Sequence, residues 1–135
     1  MTRYLLDTNI CIFLLKNFYG VTERIKKAGC ENCYVSDITL AELYYGASNS
    51  GRKEEKMQGV RCIEDLFTVL PIHDVLETYA DVKSDLRRNG QLIDDFDLLI
   101  GSTAVAYGLV LVTENVRHLS RIPGITIENW IERGA

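Results

Sequence analysis

The sequence has few of the features that divide a chain into domains or attach it to a membrane. It contains only two prolines, Pro71 and Pro123, and no internal repeat or proline-rich linker. No stretch approaches the roughly 20 consecutive apolar residues of a membrane-spanning helix, and the first residues lack the basic region and apolar block of a secretory signal. With 135 residues, the chain is expected to form one domain, residues 1–135, in the cytoplasm.

Positive charge is also scarce. The chain has 15 Lys and Arg residues against 19 Asp and Glu residues, which gives a formal net charge of −4. This balance excludes a protein that holds nucleic acid through its overall charge. Local basic patches remain open, as does the simpler alternative that these side chains are solvated parts of helix faces. The candidates are Arg52, Lys53, Lys56, Arg87 and Arg88.

Thiols and histidines are too few for a complete zinc site. "CENC", residues 30–33, is a single C-x-x-C pair, and no second pair or nearby histidine completes it. Cys11 and His118 are isolated in the sequence. We therefore expect reduced, structural thiols.

The sequence does contain a regular alternation of short apolar runs and amphipathic segments. Strands that alternate with helices over the whole length predict an α/β fold, with a central, mostly parallel sheet of four or five strands flanked by helices. The predicted strands are 3–6, 33–36, 68–72, 109–113 and 125–130. The predicted helices are 10–17, 19–28, Ser36 or Asp37 to about Gly46, 54–67, 74–89 and about 94–107, with a short helical turn within 114–122.

Three acidic residues do not lie on mixed-charge helix faces. Asp7 follows the predicted strand "RYLL", Glu42 lies within "TLAELYYG", and Asp97 lies within "FDLLIG". Each has a structural alternative that the sequence leaves open. Asp7 would cap the first helix, Glu42 would belong to a buried ion pair, and Asp97 would share a helix face with Asp94, whose charge repels it.

These acids are expected to converge, because sites in such sheets form at the carboxyl ends of the strands. "VTEN" follows the strand "LVLV" as "DTN" follows "RYLL", so Thr113, Glu114 and Asn115 should meet Asp7 there. A plain helix cap by Thr113 or Asn115 is an equal alternative. Carboxylates that converge in a half-buried pocket require a cation. Oxygen ligands without histidine or thiolate favour a hard divalent ion, Mg²⁺ or Mn²⁺.

Four motifs in order resemble one known family. "LLDTN", "TLAELYYG", "FDLLIGSTAVAYGLVLVTEN" and "RIPGITIENW" together resemble the PIN domain, specifically the VapC-type toxin ribonucleases of bacterial toxin–antitoxin pairs. No single motif is specific, but the series covers the chain from Arg3 to Trp130. The resemblance implies a single PIN-like domain with an endoribonuclease activity that depends on Mg²⁺ or Mn²⁺.

The resemblance also assigns residues to the site. The acidic residues that it implies are Asp7, Glu42 and Asp97, and the supporting polar residues are Thr8, Asn9 and Thr113. At the fourth position many relatives carry an aspartate where this chain has Asn115. An amide oxygen brings no charge, so a second metal ion would be held less firmly unless Glu114 or Asp94 substitutes.

The implied partners are an RNA substrate, a VapB-like antitoxin and a second copy of the chain, with a larger antitoxin assembly as an extension. Tyr44 and Tyr45 suggest a partner surface, although tyrosines at helical spacing more often belong to a core. Two other functions stay open. One is a catalytically weakened PIN-like module that only binds RNA or a partner, supported by Asn115. The other is a phosphohydrolase for small substrates, against which the lack of a glycine-rich phosphate loop counts.

Overall fold

The computed structural model describes residues 1–133 and has a five-stranded sheet at its centre. The strands are β1 (Tyr4–Leu6), β2 (Cys33–Ser36), β3 (Thr68–Leu70), β4 (Val110–Val112) and β5 (Thr126–Glu128). Their order is β3-β2-β1-β4-β5, and every neighbouring pair is parallel. The predicted α/β fold is confirmed, and β5 is an edge strand as expected.

Within residues 1–133, seven α-helices connect and flank the strands. They are α1 (Thr8–Lys16), α2 (Val21–Ala28), α3 (Asp37–Ser48), α4 (Lys53–Leu66), α5 (Leu76–Arg88), α6 (Asp95–Tyr107) and α7 (Val116–Leu119). Two short 3₁₀ turns, Cys30–Asn32 and His73–Val75, precede β2 and α5. None of the helices within residues 1–133 is both long and apolar enough to cross a membrane.

The sheet separates two apolar cores. Successive side chains of a strand point to opposite faces, and in β1 Leu6 packs into a core with residues of α1 to α4, whereas Leu5 packs into a core with residues of α5 and α6. Val112 and Leu111 of β4 divide in the same way. The ends of β1 and β4 are therefore fixed from both faces of the sheet.

Four helices begin at residues other than those predicted. α4 begins one residue early, at Lys53, and α5 begins at Leu76 rather than at residue 74, because the 3₁₀ turn His73–Val75 precedes it. The other two are α1 and α2. α1 begins at Thr8 rather than at residue 10, because the Asp7 carboxylate caps it by accepting the Thr8 N–H at 2.8 Å. α2 begins at Val21 rather than at residue 19, because Tyr19 and Gly20 have φ angles of 58° and 68°, which no α-helix accommodates.

The end of the chain packs closely against α6. A Cβ atom on Gly101 would lie 2.2 Å from Ile122 Cδ1 and 3.1 Å from Leu119 Cδ1. A larger residue here would require the Ile122 and Leu119 side chains to move, so Gly101 allows α6 and the segment around α7 to lie close together. The loop between β4 and α7 is thereby placed next to the first turns of α6.

The cysteines are unpaired thiols, as expected. Burial raises the pKa of the Cys33 thiol to about 12, and it raises the pKa of the buried Cys11 thiol as well. Both thiols therefore stay protonated and unreactive at neutral pH.

The two tyrosines expected at a partner surface differ in exposure. Tyr45 is 71% exposed, whereas Tyr44 packs against the core and donates its hydroxyl proton to Glu64 at 2.6 Å.

Candidate active site

The site forms where β1 and β4 end side by side. Leu6 pairs with Val112 in the last register position of the two strands, and the Asp7 N–H donates to the Val112 carbonyl at 3.0 Å. Asp7 and Thr113 are therefore the first residues beyond the ends of neighbouring strands. The structure brings these two residues together, as the strand-end rule predicts.

Asp7 is buried and accepts hydrogen bonds with both carboxylate oxygens. It is only 4% exposed; Oδ1 accepts the Thr8 N–H at 2.8 Å and Oδ2 accepts the Thr113 hydroxyl at 2.7 Å. Burial raises the pKa of Asp7, and the two hydrogen bonds oppose that rise because they stabilise the ionised form. Asp7 is thus a helix cap and a part of the site at once.

Glu42 reaches the same place from α3. Ser36 caps this helix by accepting the Thr39 N–H at 3.2 Å. One turn later Glu42 Oε1 accepts the Thr8 hydroxyl proton at 2.5 Å. Burial raises the pKa of Glu42, the Thr8 bond lowers it, and the charges of Asp7 and Asp94 raise it further.

Asp97 lies in the first turn of α6 and contacts the loop after β4. Its Oδ2 accepts a hydrogen from the Asn115 side-chain amide at 3.3 Å. Burial is the main cause that raises the pKa of Asp97 to about 6, followed by the charges of Asp7, Asp94 and Glu42. The acids from separate elements are therefore close enough to disfavour one another's ionisation.

A continuous path of hydrogen bonds joins the outer carboxylates, Glu42 and Asp97. The path passes through Thr8, Asp7, Thr113 and Asn115, with the Asn115 N–H donating to the Thr113 hydroxyl oxygen at 3.0 Å. All of its side chains are neutral or acidic. Among residues 1–133, none of the ion pairs includes Asp7, Glu42 or Asp97, so the ion-pair alternative for Glu42 is wrong for this part of the chain.

The remaining polar candidates lie in different positions. Asn9 is exposed. Asp94 caps α6 by accepting the Phe96 N–H at 3.1 Å, and its charge still acts on Glu42 and Asp97. Glu114 is held by Arg133, with Arg133 Nη2 donating to Oε1 at 3.0 Å, so in this arrangement its carboxylate is already occupied.

Three residues of this region were not predicted from the sequence. They are Thr39, His118 and Arg133. The Thr39 hydroxyl oxygen lies 3.3 Å from that of Thr8, and its spacing of three residues before Glu42 on a helix was the signal that could have revealed it. His118 Nδ1 lies 3.0 Å from Asn115 Oδ1, at the same helical spacing. Arg133 gives no such signal, because its partners are distant in the sequence.

The predicted basic residues are all exposed and lie on α4 and α5 or just before α4. Arg52 lies 3.8 Å from Glu55, and Arg88 pairs with Asp85. Lys56 lines a groove between α1, α3 and α4 that also includes Glu42 and has a volume of about 330 Å³.

The donor atoms of the site suit a hard divalent cation. They are carboxylate and hydroxyl oxygens without a histidine or thiolate among them. None of the ion pairs within residues 1–133 includes one of the three acids, and burial raises the pKa of each. In residues 1–133, however, no three acidic, histidine or cysteine side chains are already arranged to hold a metal ion. The oxygen ligands of the site are therefore suitable for a cation, but their side chains would have to move to coordinate one.

Comparison with known proteins agrees with this geometry. The PIN domain family profile matches residues 4–125. Ribonuclease VapC2 of Haemophilus influenzae is 36% identical over 136 residues, covering 97% of this chain and all of that protein. The tRNA(fMet)-specific endonuclease VapC of Shigella flexneri is 34% identical and covers 96% of this chain and 99% of its own.

A solved structure agrees as well. The DNA-bound VapBC complex from Salmonella typhimurium contains a chain that superposes with a TM-score of 0.90 at 36% identity, covering 96% of this chain and 99% of that chain. This chain belongs to the PIN-domain family and, within it, to the VapC ribonucleases, the toxins of toxin–antitoxin pairs. PIN-domain ribonucleases of this group generally depend on a divalent metal ion.

Proposed function

We propose that this endoribonuclease toxin hydrolyses RNA phosphodiester bonds at the cluster of Asp7, Glu42 and Asp97, with Mg²⁺ or Mn²⁺ as the cofactor. The observation that carries the proposal is the convergence of three acids, from the end of β1, from α3 and from α6, with raised pKa values and no basic partner among residues 1–133. Such an arrangement costs folding free energy unless a cation binds. An anionic phosphodiester would not approach it without that cation.

The three carboxylates would hold the cation. When bound, it would supply positive charge to the scissile phosphate and acidify the attacking water. The hydroxyls of Thr8 and Thr113 already orient Glu42 and Asp7 by donating to them. Asn115 does the same for Asp97 through its amide, a contact that an aspartate at this position would replace with repulsion.

We assign the acceptance of a proton from the attacking water to Asp97 or Glu42. The Asn115 amide bonds only Oδ2 of Asp97, which leaves Oδ1 for the cation or the proton.

RNA would reach this acidic site between two basic groups. Arg52, Lys53 and Lys56 lie at the start of α4, and Arg87 and Arg88 lie at the end of α5. Because α4 packs on α3 and α5 packs on α6, these groups flank the helices that carry Glu42 and Asp97. We assign them to backbone phosphates of the substrate.

The groove between α1, α3 and α4 is the surface that we assign to a VapB-like antitoxin. Its walls are apolar, and its charged residues are Glu42, Lys16, Glu55 and Lys56. A partner segment with apolar side chains and a basic residue that reaches Glu42 would fill the groove and cover the site. The Salmonella relative was solved as a VapBC complex on DNA, which supports a partner of this kind.

The proposal also includes a homodimer, and it places the toxin in the cytoplasm, where RNA and antitoxin are both made. Several large apolar side chains around α5, α6 and α7 are exposed: Leu76, Leu92, Phe96 and Val116. If these side chains form one contiguous patch, that patch would be a surface of the kind that joins copies.

Cleavage of labelled, structured RNA by the purified chain tests the catalytic proposal. The Shigella relative is named as specific for tRNA(fMet), so tRNAs are the first substrates to use. With Mn²⁺, Asp7→Asn should lower the cleavage rate more than the roughly 100-fold that the loss of an outer-sphere residue costs, because it removes a charged metal ligand. The amide can still cap α1, so the fold should be kept. EDTA should abolish cleavage by the unsubstituted chain.

Asp81→Asn is the matched control, since it makes the same substitution at an exposed position of α5. It should leave the rate unchanged. Cleavage that survives both EDTA and Asp7→Asn would refute the assigned site. A folded chain that binds RNA and does not cut it would instead support the catalytically weakened module.

A further inference from the structure

The last described residue, Arg133, links two parts of the chain that border the candidate active site. Its guanidinium pairs with the Glu114 carboxylate through two hydrogen bonds, Nε to Oε2 and Nη2 to Oε1, the second at 3.0 Å. The third donor, Nη1, reaches the Tyr19 hydroxyl at 2.8 Å. A two-pronged pair of this kind fixes orientation as well as distance.

Aromatic rings hold the same guanidinium from the side of α1. It lies 4.7 Å from the ring centroid of Tyr19 and 5.7 Å from that of Phe13, and the two rings make an edge contact at 4.9 Å. Tyr19 and Asn17 are the non-glycine residues within 1–133 that have a positive φ angle. A bulky residue keeps such a conformation only where its surroundings enforce it, and the contacts of Tyr19 with Phe13 and Arg133 are surroundings of this kind.

Glu114 lies between the two residues that orient the catalytic acids. Its neighbour Thr113 donates to Asp7, and its neighbour Asn115 donates to Asp97. The side chains of Thr113 and Asn115 hold this loop from the site side, and Glu114 is held by Arg133 from the other. The Glu114 side chain is only 25% exposed in the pair, and the Arg133 bond lowers its pKa, so it stays ionised and attached at neutral pH.

We propose that Arg133 is a positioning residue for RNA cleavage, which acts through Glu114 to hold the 113–115 loop so that Thr113 and Asn115 orient Asp7 and Asp97. The inference rests on the proposed function for its catalytic consequence, while its structural part is independent of any activity. It also explains why Glu114, which the sequence suggested as a metal ligand, bonds Arg133 and not the site. We call the contacts of Arg133 with Glu114 and Tyr19 the clamp. The clamp joins the segment that follows α1 to the loop that contacts Asp97.

The first measurement needs neither metal nor RNA. The ¹⁵N side-chain amide signal of Asn115, assigned by its loss in Asn115→Asp, reports the contact with Asp97. Arg133→Ala should shift or broaden this signal, and Arg61→Ala should not, because Arg61 is an exposed arginine of α4 whose side chain bonds Gln58. An unchanged Asn115 signal in folded Arg133→Ala protein would overturn the proposal.

The second measurement is steady-state cleavage of RNA with Mn²⁺. Arg133→Ala should lower kcat about tenfold, as for other outer-sphere residues, with KM for RNA within about twofold, because an orienting contact acts on the reaction step. Arg133→Lys keeps the positive charge but cannot form the two-pronged pair with Glu114, so it should lose less activity than Arg133→Ala does. The charge exchange Glu114→Arg with Arg133→Glu should recover part of the loss of either single change.

A rise in KM with unchanged kcat would overturn the proposal, because it would make Arg133 an RNA contact. The two proposals fail separately. If the unsubstituted chain cuts no RNA, the proposed function fails, and the Asn115 signal alone then decides whether the clamp exists.

Discussion

At the scale of single residues, the carboxylates of the site are held by hydroxyl and amide groups instead of cations. Asp7 shows why the sequence left two roles open for it. One oxygen caps α1 through the Thr8 N–H, and the other accepts the Thr113 hydroxyl, so capping and site formation use different atoms. Capping α1 therefore does not exclude Asp7 from the metal-binding role that we propose for it.

The pH dependence of Asp97 is the first prediction at this scale. Because its pKa is raised to about 6 partly by the charge of Asp94, Asp94→Asn should lower the pKa of Asp97 while an amide still caps α6. The ¹³C signal of the Asp97 carboxyl, followed by NMR in metal-free protein, measures this pKa directly. A pKa that stays at about 6 or rises would contradict the charge assignment.

The same shift has a defined sign for stability. The folded pKa of Asp97 lies above its usual value of 3.8, so the folded state binds the proton more tightly than the unfolded state does. The metal-free protein should therefore lose stability as the pH rises from about 4 through about 6. A divalent ion should restore that stability above pH 6, because it binds the carboxylate form. Thermal melts with and without Mn²⁺ across this range test both statements.

The sequence predicted some of these residues and not others for a physical reason. Asp7 and Thr113 follow directly after buried strands, and the geometry of a parallel sheet brings such positions together. The partner of Glu114 could not be predicted in this way. Arg133 lies in an irregular segment beyond the last strand, where no periodicity connects it to another element.

At the scale of elements, α3 serves both the site and the groove. It directs Thr39 and Glu42 towards Thr8 at the site, and Glu42 and Gly46, one helical turn apart, also belong to the wall of the groove shared with α1 and α4. Gly46 lies in that wall, and a Cβ atom there would meet nothing within 4 Å. The groove is thus open at this position and can be filled by substitution.

Gly46→Leu is the prediction at this scale. The added side chain would occupy the groove, so the affinity for the VapB-like antitoxin should fall at least about tenfold, equivalent to about 1.4 kcal/mol. RNA cleavage should fall less than antitoxin binding, since residue 46 is not among the groups that bond the three acids. Isothermal titration with the antitoxin and the cleavage assay measure the two effects.

Gly51→Leu is the matched control, because Gly51 is also open to a side chain but lies in the turn before α4, outside the groove. It should leave antitoxin binding unchanged. Equal affinity of Gly46→Leu and the unsubstituted chain for the antitoxin would remove this groove from the proposal.

Element boundaries show what periodicity can and cannot determine. The pattern predicted all five strands and the end of α6 at Gly108, whose φ of 66° is the left-handed conformation typical of a helix end. It placed the start of α2 two residues early, because the positive φ angle of Tyr19 depends on contacts with Phe13 and Arg133 that are not visible in local sequence. Strand order likewise depends on packing and not on any single segment.

At the scale of the whole molecule, the protein has a net charge of −4, yet its substrate, RNA, is also negatively charged. We propose that a few basic side chains on α4 and α5 attract the RNA phosphates. Contacts between basic side chains and phosphates weaken as the salt concentration rises. Binding of RNA should therefore fall steeply with salt concentration in spite of the net charge.

The corresponding prediction concerns Lys53 and Lys56. In the Asp7→Asn background with EDTA, which prevents cleavage, replacing both by Gln should reduce the slope of log affinity against log salt by about 1.4, as expected for two lost phosphate contacts on a single strand. Fluorescence anisotropy over a KCl series measures the slope. Replacing Lys26 and Lys27, the exposed pair of α2, should leave it unchanged, and equal slopes for the two double substitutions would refute the assignment.

The hydrogen bond between Asp7 and Thr113 joins residues 106 positions apart, and this separation bears on the synthesis of the toxin. During translation, Asp7 is synthesised 106 residues before Thr113. A nascent chain therefore cannot assemble the proposed site until the loop of residues 113–115 has left the ribosome.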